Sequence, residues 1–259
     1  MRFFSSARLF FGAIIVFIFF SCNKKTETFQ TEPLSDYIPL VTGKYITYEV
    51  DSTVFTNFGR NTEIHKYQIK HVIEAQITDN LGQTTYRVFT YQRDSAGIQP
   101  WQATSPDSYF ITPYSDRIEV KDENNLRFIK LHLPVKNGNS WKGNKYLPHN
   151  PYELLYNFSN DDYMEDWDFY FDGASSSFSY RGQNYSDVYS IEEVDEFINV
   201  PIINPNDYAS KNRAVEKYSK NIGLVYREYE MWEYQPNPSG QGGPYKTGFG
   251  IRMWMIDHN

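Results

Sequence analysis

Between residues 161 and 172 this chain concentrates carboxylates: Asp161, Asp162, Glu165, Asp166, Asp168 and Asp172 stand within the run DDYMEDWDFYFD. Hard oxygen ligands packed this closely are the chemistry of a Ca²⁺ site. Two of them about 5 to 9.5 Å apart would be the acid and nucleophile, or acid and base, of a glycoside hydrolase. The spacing does not follow the twelve-residue calcium loop, because Asp166-x-Asp168 runs into Phe169 and Tyr170 where further alternating ligands are needed. The plainer reading is a solvated acidic turn. Asp161, Asp162, Glu165, Asp166 and Asp168 are therefore carried forward as a candidate acidic site only.

The five histidines, His65, His71, His132, His149 and His258, include no pair at metal-ligand spacing on a helix and no HExxH. GxSxG, GxGxxG and P-loop patterns are absent, so neither a serine-hydrolase elbow nor a phosphate cradle is in view. His71 sits on the apolar parity of a strand, where a packed, hydrogen-bonded imidazole is expected. Trp101 follows Pro100 and Trp141 follows an Asn-Gly turn. Either, if exposed, would serve as a stacking platform for sugars. No constellation specifies a reaction or calls for a cofactor or metal, and a non-catalytic role is the reading that follows.

Cys22 is the single cysteine, placed where an oily run ends and a polar one begins. The run Leu9 to Phe20 follows Arg2 and Arg8 and would make about 18 Å of helix at ~1.5 Å per residue. A hydrocarbon core is ~30 Å thick. The segment is thus short for a span and has the layout of a secretory signal, with the small residue Ser21 at the cleavage point. Ser21-Cys22 resembles a bacterial lipobox. That resemblance implies cleavage between Ser21 and Cys22, acylation of the Cys22 thiol (palmitate or a similar chain), and attachment to a membrane. Phe19 and Phe20 depart from the usual lipobox residues. Two acyl chains suffice to hold a soluble body at a bilayer, and an exported chain with one cysteine has no internal disulfide.

The chain carries a net charge of −7, which becomes −9 when the two leader arginines are removed. Nucleic-acid affinity comes largely from neutralising phosphates, so an acidic chain argues against that partner. It equally disfavours anionic headgroups, leaving the lipid as the attachment. Three segments are expected: a lipoprotein signal peptide at 1–21, a flexible polar tether at 22–36, and one β-rich domain at 37–259.

Period-two alternation begins at residue 44. Ile46, Tyr48, Val50 and Val54 share one parity, and Tyr67, Ile69, Ile73, Ala75 and Ile77 another; this indicates half-exposed antiparallel strands. Turns are expected at 79–83, around Asn124-Asn125, at Asn137-Gly138 and around Asn221-Ile222-Gly223. The apolar parity switches between Phe128 and Ile129, which predicts a bulge or a strand buried on both faces. A helix is admissible over 208–219, and 147–172 reads as a short helix or an excursion beside the sheet. The architecture expected is all-β: a single antiparallel domain curved into an open barrel, or alternatively a two-sheet sandwich.

The segments YIPLVTGKYITYEVDS, ENNLRFIKLHLPVKNGNSWKGNKY and GLVYREYEMWEYQP, with the ending IDHN, resemble a widespread group of uncharacterised lipoproteins from Bacteroidota. The resemblance implies a cell-envelope location and no activity. In that phylum it also implies O-glycosylation at Asp-Ser-Thr or Asp-Ser-Ala tripeptides, here Ser52 and Ser95. The run NKKTET after Cys22 lacks the acidic stretch of surface-displayed relatives, which implies a periplasm-facing outer-membrane lipoprotein. The expected function is a membrane-anchored binding or partner-interaction module for a glycan, a lipid or an envelope protein. The alternative is a carbohydrate-active hydrolase or glycan-binding lipoprotein using carboxylates and aromatics.

Overall fold

The computed structural model describes residues 31–237, 240 and 242–259. The signal segment, Ser21 and Cys22 lie outside the described residues. Residues 31–259 constitute one compact unit.

The alternating segments become twelve strands: β1 (Tyr45–Thr56), β2 (Asn61–Thr78), β3 (Thr84–Asp94), β4 (Gln102–Pro113), β5 (Arg117–Lys121), β6 (Arg127–His132), β7 (Ser140–Lys142), β8 (Asp168–Tyr180), β9 (Gln183–Ile198), β10 (Ala209–Ser219), β11 (Gly223–Gln235) and β12 (Tyr245–His258). They form one sheet in the order β6-β5-β4-β3-β2-β1-β12-β11-β10-β9-β8-β7, with every described pairing antiparallel. Sequence neighbours pair throughout except at one place. The first and last strands pair with each other, and the free edges are β6 and β7, which are consecutive in the chain.

Those edges nearly meet. The Ile129 N–H of β6 donates to the Gly143 carbonyl just beyond β7 at 2.7 Å, and the Trp141 indole N–H donates to the Ile129 carbonyl at 2.8 Å. The sheet is therefore a nearly closed barrel, and the sandwich alternative is not adopted. Closure hides two edges that would otherwise offer unpaired backbone groups to another chain.

The expected turns are present. Asp79 Oδ1 accepts the N–H groups of Leu81 and Gln83 at 79–83. Asn125 and Asn221 take positive φ of 63° and 64°, and Gly138 one of 76°, conformations that Asn and Gly tolerate at least strain. Of residues 208–219, where a helix was admissible, 209–219 are strand β10 instead. Ladder hydrogen bonds from β9 and β11 on either side outweigh the modest helix propensity of Ala209, Val215 and Glu216.

The parity switch at Phe128 and Ile129 is resolved by both expected features. Ile118 pairs with Leu131 but Glu119 with Ile129, so Lys130 is the extra residue of a β-bulge. Phe128, Ile129, Lys130 and Leu131 are all buried.

Two segments finish the barrel. The described part of the expected tether carries a 3-10 turn at Leu34–Asp36 with Leu34 buried. The Glu32 carboxylate accepts from Lys220 Nζ at 2.6 Å and from the Tyr37 hydroxyl at 2.8 Å, while the Asn221 N–H donates to the Asp36 carbonyl at 2.6 Å. Leu34, Tyr37 and Ile38 thereby join a core with Val88, Ile111, Ile118, Leu131, Trp141 and Phe171. Between β7 and β8 the chain makes the expected excursion, with a 3-10 turn at Met164–Asp166. Leu147, Tyr152, Phe158 and Met164 from it pack on Phe128, Met231 and Phe249.

Candidate functional site: a charged network beside an internal cavity

On β11 the odd positions Arg227 and Tyr229 point to the barrel interior, as do Tyr218 and Glu216 of β10 and Tyr48 of β1, following the two-residue period of a pleated strand. Arg227, Tyr229, Tyr218 and Tyr48 border a cavity of about 220 Å³. Its apolar wall includes Ile38 and Leu40 from the N-terminal segment, Ile73, Val88 and Ile111 from β2 to β4, and Val120 and Phe128 from β5 and β6. Its polar groups are His71, Tyr109, Lys130, Arg227, Tyr218 and Tyr229, with Lys44, Asp122 and Glu123 also on the lining.

The cations and acids inside the barrel satisfy one another. Lys130 Nζ lies 2.8 Å from Glu193 Oε1 and 3.3 Å from Glu216 Oε1, and donates to the Tyr229 hydroxyl at 2.5 Å. Arg227 gives Nε and one terminal nitrogen to Glu216 Oε1, at 2.7 and 2.6 Å. Tyr218 donates to Glu216 Oε2 at 2.6 Å, and Tyr229 donates to Glu193 Oε1 at 2.7 Å. Lys130, Glu193 and Glu216 are almost wholly removed from solvent. Charges so placed must be paired and hydrogen-bonded to be tolerated.

The two acids respond differently to that setting. Burial pushes Glu216 up, but Lys130 and Arg227 outweigh it and hold the carboxyl well below the usual range. For Glu193 burial prevails over Lys130, Glu216 adds repulsion, and its carboxyl is raised. The Tyr218 and Tyr229 hydroxyls are pushed far up by burial and the neighbouring carboxylates, so they act as hydrogen-bond donors. Glu193 and Glu216 share Lys130 and Tyr229 as partners.

His71 is packed and hydrogen-bonded as expected: its Nδ1 lies 3.2 Å from the Tyr109 hydroxyl, and its ring stands between those of Tyr48 and Tyr109. Burial, with Arg227 nearby, lowers its pKa from 6.5 to about 3, so the ring is neutral.

The acidic run of 161–172 does not converge. Asp161 is fully buried; one oxygen accepts the Tyr152 N–H at 2.7 Å, the other has no partner among the described residues, and burial raises the carboxyl. Asp162 is exposed. Glu165 lies 3.2 Å from His149 Nδ1, and Asp168 is 3.0 Å from Lys142 Nζ, which also donates to the Asp166 carbonyl. Among the described residues no group of three or more His, Cys, Asp and Glu side chains could hold a metal ion.

Trp141, which an exposed sugar platform would have needed, is buried at the barrel seam. Trp101 is half-buried, with the Arg93 guanidinium 4.2 Å from its ring centre. Ser52 is half-buried within β1, and Ser95 is exposed in the β3–β4 connection beside Asp94, whose carboxylate accepts three backbone N–H groups.

Lys130, Glu193, Glu216, Arg227 and Tyr109 carry no motif that marks them in the sequence. The one available signal is Lys130, a lysine inside the apolar run FIKL where the parity is already broken.

No protein-family model matches the chain, and no curated protein does. Among solved structures it is similar to a Bacteroides fragilis protein described as exported, with a YMCC-like fold, at 8% identity over 85% of this chain and 96% of that one, TM-score 0.40. It is also similar to a protein described as a lipoprotein from Parabacteroides distasonis, at 8% identity, 85% and 96% coverage, TM-score 0.38. A domain described as an outer-membrane lipoprotein-sorting protein from Vibrio parahaemolyticus matches at 12% identity, 84% and 85% coverage, TM-score 0.17. Likenesses of this strength assign no activity to the chain.

Proposed function

We propose that this protein is a membrane-anchored envelope lipoprotein whose barrel is a non-catalytic binding module, with the ligand taken into the internal cavity. The observation that carries this reading is the cavity itself, about 220 Å³ with a largely aliphatic wall and an ordered charged network on one side. Pockets that combine an apolar lining with a few fixed polar groups are the usual form of a small-molecule site. The alternative of a carboxylate hydrolase loses support because Asp161, Glu165 and Asp168 are engaged by separate partners.

The anchor belongs to the same proposal. The leader, Ser21 and Cys22 support acylation of Cys22 and retention at the outer membrane, facing the periplasm. An alkyne fatty-acid label should enter the wild-type protein and not Cys22→Ala, and the variant should leave the membrane fraction. Equal labelling of both would overturn the anchor.

For binding, native mass spectrometry of the full chain isolated from the envelope should find a small molecule held non-covalently. Ile111→Trp, which fills the cavity, should lose it. A wild-type protein with nothing bound, or an adduct indifferent to Ile111→Trp, would overturn the cavity reading.

A further inference from the structure

The cavity's polar groups and its size narrow what it would hold. Of the Arg227 guanidinium, Nε and one terminal nitrogen engage Glu216, and the second terminal nitrogen has no partner among the described residues. The side chain is 27% exposed and forms part of the cavity lining. His71 stands on the same lining. In the tautomer whose Nδ1 accepts from the Tyr109 hydroxyl, 3.2 Å away, the neutral imidazole carries its proton on Nε2. Nε2 has no partner among the described residues, so the cavity offers two hydrogen-bond donors, one of them cationic.

The acids beside Arg227 and Lys130 are engaged. Glu216 and Glu193 already accept from Lys130, Arg227, Tyr218 and Tyr229. Asp122 accepts the Asn124 and Leu126 N–H groups of its own turn, and Glu123 is exposed. A cationic ligand therefore finds Glu216 and Glu193, the acids of the charged network, already paired with Lys130 and Arg227. A sugar finds too few partners for its hydroxyls, each of which must be satisfied once buried. The wall formed by Ile38, Ile73, Val88 and Ile111 calls for hydrocarbon.

Size sets the scale. A cavity of about 150 Å³ accepts benzene, so 220 Å³ suits a molecule of about nine or ten non-hydrogen atoms. We infer that the ligand of the barrel cavity is a small monocarboxylic acid, its carboxylate on Arg227 and His71 and its hydrocarbon among Ile73, Val88 and Ile111. This rests on the reading of the barrel as a binding module and adds the class of ligand. Guanidinium is suited to this role because its planar donors match a carboxylate.

The test titrates octanoate, 1-octanol and octylammonium into the full chain in nanodiscs, by calorimetry, with empty nanodiscs subtracted. Octanoate should bind one to one, with octanol weaker by about tenfold or more and octylammonium not binding. Arg227→Gln and His71→Phe should each weaken octanoate and leave octanol unchanged. Thermal unfolding reports whether each variant is folded, and His71→Phe decides the matter if Arg227→Gln is not.

Octanol binding as tightly as octanoate, or octylammonium binding more tightly, would overturn the carboxylate while leaving the cavity reading intact. Failure of all three ligands would overturn the proposal too; the Ile111→Trp comparison then shows separately whether the cavity holds anything.

Discussion

Lys130 and Glu193, 2.8 Å apart inside the barrel, are each the extra residue of a β-bulge. On β6 the register steps over Lys130; on β9 it steps over Glu193, since Ala214 pairs with Val194 and Val215 with Glu192. A bulge re-aims a side chain and sharpens the local twist. Here two bulges turn opposite charges inward from strands that lie far apart in the sheet order, where they complete the network around Glu216. The pair thus ties together the two flanks of the barrel that meet at the β6–β7 seam.

Removing one partner should be far worse than removing both. Lys130→Met leaves Glu193 and Glu216 short of a cation and should destabilise by about 3 to 5 kcal/mol. Adding Glu193→Gln should restore part of that loss, with a coupling of about 0.5 to 3 kcal/mol. Denaturant unfolding of the two single variants and the double variant measures it. Strict additivity would show that the two side chains do not act together.

His71 predicts a pH dependence with a defined sign. Its imidazole titrates at 6.5 when unfolded and at about 3 when folded. Below pH 6.5 the unfolded chain takes up a proton that the folded chain refuses, so this contribution to stability is lost as pH falls from 6.5 to about 3. Unfolding free energies of wild type and His71→Phe, measured across that window, should diverge, with the wild type falling more steeply. Parallel profiles would contradict a neutral buried ring.

The seam should loosen when its indole bond is removed. Trp141→Phe deletes the donor to the Ile129 carbonyl and leaves that acceptor unsatisfied, a loss of about 1 to 3 kcal/mol. Hydrogen exchange at the Ile129 N–H, which donates to Gly143, should accelerate more than exchange in β11. Uniform acceleration would mean global destabilisation without seam opening.

Gly143 should tolerate no side chain. A Cβ there would stand 2.3 Å from the ring of Phe169, which is fully buried against Trp141. Gly143→Ala should destabilise by about 1 to 3 kcal/mol through overpacking. Phe169→Leu in the same chain should relieve part of this in thermal unfolding.

Much of the architecture is written locally. Alternation at Ile46, Tyr48 and Val50 or Tyr67 and Ile69 states a strand because the pleat repeats every two residues, and Asn-Gly and Gly turns state where the chain reverses. The broken parity at Phe128 and Ile129 even marked the bulge. The strand at 209–219 was less legible, since its mixed residues suit either a helix or a sheet until neighbours pair on both sides.

What the sequence by itself determined is therefore the strand-and-turn grammar. Only the tertiary structure decided that Lys130, Glu193, Glu216 and Arg227 share one interior. A charged residue on an alternating strand looks the same whether its face meets water or a barrel lumen. Which face is which depends on the direction the sheet curls and where its edges meet, and these are set by contacts between segments tens to more than a hundred residues apart.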